Sequence, residues 1–175
     1  MLQWRCKTVI GREQIEQVDR LAALCQRHSA TLIVNDRADV AMITGAQGLH
    51  VGQDDLTPEM ARRLLGVSAI VGHSTHNRDQ FLTGAKLPVD YVALGPIFGT
   101  ANKANPDPVV GLDELQLCAG LTSLPTVAIG GITRSNAGEV LRAGAASLAV
   151  IGDLIPDQCD ADSLRHRFHE WLRIL

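Results

Sequence analysis

The stretch "VAIGGI", Val127–Ile132, reads as a short buried strand that runs directly into two glycines. "AVIGDL", Ala149–Leu154, repeats the pattern near the end of the chain. Glycines at such exits free backbone N–H groups to approach an anion. In (β/α)8 barrels, phosphate is frequently bound by the loops after the seventh and eighth strands. The two stretches therefore suggest the last two strands of a barrel.

Working outward, apolar or β-branched runs alternate with amphipathic stretches along the whole chain. Strands are expected at Leu2–Cys6, Thr31–Val34, Gly48–Val51, Ala69–Gly72, Asp90–Leu94, Thr126–Ile129 and Ser147–Ile151. Helices are expected at Arg12–His28, Asp39–Thr44, Pro58–Leu65, Arg78–Ala85, Leu112–Leu121, Ser135–Ala143 and Ala161–Leu175. In the last helix, Leu164, Phe168, Trp171, Leu172 and Leu175 form an apolar stripe. Strand–helix alternation of this kind means α/β. A Rossmann sheet would carry a Gly-rich turn after its first strand, but Lys7–Arg12 holds a single glycine. Instead, polar or glycine residues follow nearly every strand: Lys7, Asn35–Asp36, Gln53–Asp55, Ser74–His76, Thr100–Lys103, Gly130–Gly131 and Gly152–Asp153. That ring of groups at strand C-termini is the arrangement of a TIM (β/α)8-type barrel.

The strands readable from the sequence stop one short of the eight that a barrel needs. If the last two are the seventh and eighth, the first β/α unit is the one lacking. The expectation is a single domain over residues 1–175, N-terminally shortened. Its open edge at Leu2–Lys7 would favour homo-oligomerisation.

Composition narrows the function classes. Hydrophobic residues make up 46% and charged residues 20%, an ordinary globular balance. A net charge of −3, with only two Trp, one Tyr and three Phe, gives neither a phosphate-backbone footprint nor a base-stacking platform. No apolar run is long enough to span a membrane, and "MLQWRCK" lacks the apolar core of a signal peptide. Cys6, Cys25, Cys118 and Cys159 are widely spaced and read as reduced thiols of a cytoplasmic protein.

The chemistry-bearing residues gather at the expected strand exits. "LIVNDRADV" puts Asn35 and Asp36 at one, and "GLHVGQDDLTP" puts Asp54 and Asp55 at the next. Asp36 could cap the following helix. Paired with Asp55 from a neighbouring loop, it could instead hold magnesium, which takes one or two carboxylates and completes its shell with phosphate and water. His50, His73 and His76 have no i, i+4 helical pairing and read as packed or hydrogen-bonded rather than zinc ligands. Gln3, Arg5 and Lys7 alternate along one face of their strand. They form either a solvated edge or a cationic wall that needs an anionic partner. The long loop in "LGPIFGTANKANPDPVVG", Leu94–Gly111, carries Thr100, Asn102 and Lys103, and loops of this length usually have a function. Cations, carboxylates and Gly-rich turns together imply a phosphorylated or diphosphorylated substrate with magnesium.

Six motifs, in order, resemble those of the thiamine-phosphate synthase family: "QWRCK", "VNDRADVA", "GLHVGQDDL", "VGHSTHN", "DYVALGPIFGTANK" and "VAIGGI…N". The resemblance implies a TIM barrel that condenses 4-amino-2-methyl-5-(diphosphooxymethyl)pyrimidine with a thiazole phosphate or its carboxylated form. The products would be thiamine phosphate and pyrophosphate, with carbon dioxide from the carboxylated substrate. By position, it implies pyrimidine-diphosphate contacts at Gln3, Arg5, Lys7, Asn35, Ser74 and Lys103. It implies magnesium at Asp36 and Asp55, and thiazole-phosphate contacts at Thr100, Asn102, Gly131, Ile151 and Gly152. No protein nucleophile is required. The sequence departs from the family pattern at Cys6, Asn102 and Gly152, where Glu, Thr and Ser are usual. The alternatives are a thiazole tautomerase of the same superfamily, which needs no diphosphate site, and a non-catalytic remnant that binds a ligand or partner.

Overall fold

Leu32–Asn35 and Gly48–Val51 are buried along their whole length, as strands covered on both faces must be. The computed structural model describes residues 1–9, 11–99 and 107–175. The chain divides into two compact units, Met1–Ser74 with Lys86–Tyr91 and Thr75–Ala85 with Val92–Leu175.

The first unit alternates β1 (Leu2–Trp4), α1 (Arg12–Arg27), β2 (Leu32–Asn35), α2 (Ala38–Thr44), β3 (Gly48–Val51), α3 (Pro58–Leu65) and β4 (Ile70–Thr75). Its strands pair in parallel, with Gln3 opposite Ile33, Asn35 opposite His50, and Val51 opposite His73. Val18, Leu32, Ile33, Val34, Leu49, Val51 and Val71 are fully buried. Each such side chain contributes about 1.5–3 kcal/mol relative to an exposed one. The start of α3 is fixed as the sequence suggests: Thr57 Oγ1 accepts from the Met60 N–H at 3.3 Å, and Pro58 occupies the first turn. From α3, Arg62 reaches across to the Ala69 carbonyl and, at 2.8 Å, to the Asp90 carboxylate.

The second unit contains α4 (Arg78–Gly84), β5 (Tyr91–Leu94), α5 (Leu112–Ala119), β6 (Thr126–Ile129), α6 (Ala137–Arg142), β7 (Ser147–Ala149), a 3-10 turn at Gly152–Leu154, and α7 (Ala161–Leu172). Parallel pairing sets Ala93 opposite Val127 and Ala128 opposite Leu148. Phe81, Leu94, Ile97, Leu115 and Val140 form the buried core here. Gly138 lies in α6 with open space where a Cβ would stand. Gly138→Ala should therefore raise stability by about 0.4–1 kcal/mol through a less flexible unfolded chain. A urea midpoint that falls or stays put would contradict that expectation.

Within each unit the strands follow one another in chain order and pair in parallel. This is the α/β repeat of the TIM-barrel type. No helix among the described residues is long and apolar enough to cross a membrane. All four cysteines are free.

Several expectations need correction, among them the strand expected over Ser147–Ile151, which stops at Ala149. The strand expected over Leu2–Cys6 stops at Trp4, so Arg5 and Lys7 lie beyond it rather than on its face. In the register that sets Trp4 opposite Val34, β2 runs one residue further to Asn35, so β1 leaves the pairing before its neighbour ends. The stripe expected on the last helix is also rotated. Of its members only Trp171 is buried, while Phe168 and Leu172 are exposed and the helix ends before Leu175. Leu164, Arg167, Glu170 and Trp171 share the less exposed face, so two charged side chains sit where apolar ones were expected.

Candidate active site

Asp36 is the pivot of the first unit. Its left-handed backbone ends β2 and starts the turn into α2, and asparagine and aspartate tolerate that conformation better than most residues. Asp36 does not cap α2, whose N-cap is Arg37 without a side-chain bond. Instead its Oδ2 accepts from Lys7 Nζ. Asp55, in the loop after β3, accepts from the Gly52 N–H at 2.8 Å. Burial raises the Asp55 carboxyl above its ordinary range, and the adjacent Asp36 carboxylate adds to that rise; the Gly52 N–H and Lys7 work against it. Two carboxylates that share a site this closely, with one lysine beside them, suit a hard divalent cation. No group of three or more His, Cys, Asp or Glu placed to hold a metal ion by itself occurs among the described residues. A magnesium ion there would thus take its other oxygens from substrate and water. Arg5 is exposed, with no partner among the described residues, and Asn35 is buried at the end of β2.

Ser74 is held from behind. His50 Nε2 lies 2.7 Å from Ser74 Oγ, and His50 Nδ1 lies 2.9 Å from Tyr91 Oη. The rings of His50 and Tyr91 stack with centroids 5.5 Å apart. Burial drives His50 down to about 4 and Tyr91 up to about 12, so both are neutral near pH 7. Tyr91, His50 and Ser74 are linked in one hydrogen-bonded chain. Gln53 Nε2 donates to the Ser74 carbonyl at 2.6 Å. His50 and His73 are buried and hydrogen-bonded, in keeping with the plainer reading of these histidines. Tyr91 escaped notice in the sequence because its partners lie far along the chain. The only signal was a tyrosine opening a strand otherwise made of aliphatic residues.

In the second unit, Gly130 and Gly131 have φ values of 97° and 65°. A Cβ on Gly131 would stand 2.6 Å from the Gly99 carbonyl oxygen, so the turn admits no side chain there. Asn136 clamps this turn, donating to the Gly131 carbonyl at 3.0 Å and accepting from the Thr133 N–H at 2.8 Å. Gly152 opens the 3-10 turn after β7, and Ile151 beside it is exposed. His76 Nδ1 donates to the Gly95 carbonyl at 2.8 Å, a bond that orients the ring. A cleft of about 500 Å³ lined by His76, Arg78, Val109 and Glu114 contains none of the candidate site residues. Thr100, Asn102 and Lys103 lie outside the described residues.

The family model for thiamine monophosphate synthase matches residues 1–154. The chain belongs to this family. The thiamine-phosphate synthase of Koribacter versatilis is 50% identical over 175 residues, which span 100% of this chain and 80% of that protein. That of Chlorobium phaeovibrioides is 46% identical over 151 residues, 86% of this chain and 72% of the relative. Among solved structures, thiamine phosphate pyrophosphorylase from Pyrococcus furiosus superposes with a TM-score of 0.85 at 32% identity, covering 98% of this chain and 80% of that one.

Proposed function

We propose that the chain is a thiamine-phosphate synthase, a transferase that joins the pyrimidine diphosphate to the thiazole phosphate and releases pyrophosphate. The observation that carries this reading is the Lys7–Asp36–Asp55 cluster in a member of this family. A tautomerase acting on the thiazole phosphate alone has no use for cations and carboxylates fit for a diphosphate. We take residues 1–175 to act as one functional domain, in the cytoplasm, on small phosphorylated molecules.

The first unit supplies Gln3, Arg5, Lys7, Asn35 and Ser74 to the pyrimidine diphosphate, with Lys103 joining them. With the Tyr91 phenol proton directed at His50 Nδ1, the His50 Nε2–H goes to Ser74 Oγ. The Ser74 hydroxyl proton is then left for the ligand. His50 and Tyr91 are positioning residues in this scheme. Gly131, Ile151 and Gly152, with Thr100 and Asn102, hold the thiazole phosphate, the glycines through backbone N–H groups.

The reaction breaks the C–O bond between the pyrimidine methylene and the diphosphate, and the electron pair leaves with pyrophosphate. Arg5, Lys7 and Lys103 donate hydrogen bonds to the leaving group as its negative charge grows. Magnesium, held by Asp36 and Asp55, would neutralise diphosphate charge and so ease that departure. The cation left behind is delocalised over the electron-rich aminopyrimidine. The thiazole nitrogen supplies the lone pair for the new C–N bond, and the protein holds it in line. No side chain forms a covalent bond.

Measuring pyrophosphate release from the pyrimidine diphosphate with and without the thiazole phosphate tests this reading. A synthase should release it steadily only when both are present, whereas a tautomerase or a remnant would release none. Lys103→Ala should weaken binding or turnover of the pyrimidine diphosphate by about 1.5–3 kcal/mol, the worth of a hydrogen bond to a charged group. Wild-type kinetics for both substrates would make Lys103 an ordinary surface lysine.

A further inference from the structure

The turn after β6 and the 3-10 turn after β7 carry the glycines assigned above to the thiazole phosphate. A single ion-pair network ties these two segments to each other. Arg134, shortly after Gly131, donates its backbone N–H to Asp153 Oδ2 at 3.1 Å and its Nε to the same oxygen at 2.9 Å. Its Nη2 lies 3.4 Å from Oδ1, which makes the contact two-pronged. Asp153 directly follows Gly152.

The network continues into α7. Arg134 Nη1 bonds Glu170 Oε2, Arg167 Nε lies 3.3 Å from the same oxygen, and Arg167 Nη1 donates to the Asp153 carbonyl at 2.6 Å. These are the charged residues found on the less exposed face of α7. The Asp153 and Arg134 side chains are 17% and 30% exposed, too little to treat the pair as a freely solvated surface bridge. Burial pushes the Asp153 carboxyl up, but hydrogen bonds from Arg134 and the charges of Arg134 and Arg167 hold it below its ordinary range.

We propose that Arg134 and Asp153, braced by Arg167 and Glu170, are positioning residues that fix the spacing of the two glycine turns and thereby set affinity for the thiazole monophosphate. This rests on the assignment of Gly131, Ile151 and Gly152 to that ligand. Two backbone segments from different strands grip one phosphate well only if their separation is held to about 0.5 Å. Without the tie, the turns must be ordered at the moment of binding, at a cost in affinity.

The test pairs calorimetry of the thiazole phosphate alone with steady-state kinetics on both substrates. In Arg134→Ala and Asp153→Ala, affinity for the thiazole phosphate should fall about ten-fold and its KM should rise to match. The KM for the pyrimidine diphosphate and kcat should move much less. Asp153→Glu, which keeps the carboxylate, should recover most of the loss. Glu170→Gln leaves the central pair intact and should show a smaller loss in the same direction, a readout that survives if the alanine variants fold poorly. Unchanged affinity, equal weakening of both substrates, or an Asp153→Glu variant as weak as Asp153→Ala would overturn the proposal. A wild-type chain that binds no thiazole phosphate would overturn the site assignment itself. Binding without product would count against the synthase reading and leave the calorimetric test of the network in force.

Discussion

Turnover should fall by at least about 10³-fold in Asp36→Asn and in Asp55→Asn, roughly 4 kcal/mol of lost transition-state stabilisation, while both variants stay folded. Asparagine is the better replacement at Asp36 because the backbone there is left-handed, and alanine would add strain to the loss of charge. The fold should tolerate either change. Lys7 would lose its carboxylate partner, but its side chain is 54% exposed and can return to water. Removing one of two mutually repelling carboxylates also relieves the pressure that helps raise Asp55. Catalysis has no such compensation, since one carboxylate and a lysine make a poor seat for a dication beside a diphosphate. Excess EDTA should silence the wild-type chain, and added magnesium should restore it. Near-normal rates in both variants, or full activity in EDTA, would remove the metal from the account.

Gly72→Ala should be the most damaging small substitution in the first unit. A Cβ at Gly72 would stand 2.0 Å from Tyr91 Cζ and 2.3 Å from its Oη. Tyr91 is 8% exposed and has no solvent-facing space to swing into without losing its burial. Overpacking of this kind, with the loss of the bond to His50, should cost about 2–3 kcal/mol. For a chain of this size that is a drop of about 5–10 °C in melting temperature. Displacing Tyr91 also releases His50 and then Ser74, so the KM for the pyrimidine diphosphate should rise with the loss of stability. Gly138→Ala, of opposite expected sign, makes a matched control. A Gly72→Ala chain that melts like the wild type would mean that Tyr91 does not rest on this glycine.

The sequence carried the repeat well because burial leaves a local trace. Gly48–Val51, Thr126–Ile129 and Pro58–Leu65 have the bounds expected from their apolar runs, caps and glycines. β4 runs on to Thr75, past its expected end at Gly72, because the polar residues His73 and Ser74 hid a strand end that serves the site. β1 ends at Trp4 although polar and apolar residues go on alternating through Lys7, so the pattern in Leu2–Cys6 does not mark where the strand stops. The carboxylate pair was legible because its members stand at consecutive strand exits. The links from Ser74 to His50 and Tyr91, and from Arg134 to Asp153 and Glu170, were not, because folding joins them across many residues. In α7 the expected apolar stripe gave way to Arg167 and Glu170, whose charges find partners in that network.

The central claim is that this chain makes the bond between the two heterocycles. The most direct test incubates the purified protein with both substrates and magnesium and quantifies thiamine phosphate and pyrophosphate by mass spectrometry and phosphorus NMR. The account predicts the two products in equal amounts, with neither formed when one substrate is left out. A chain that forms no thiamine phosphate, or only isomerises the thiazole phosphate, would contradict it.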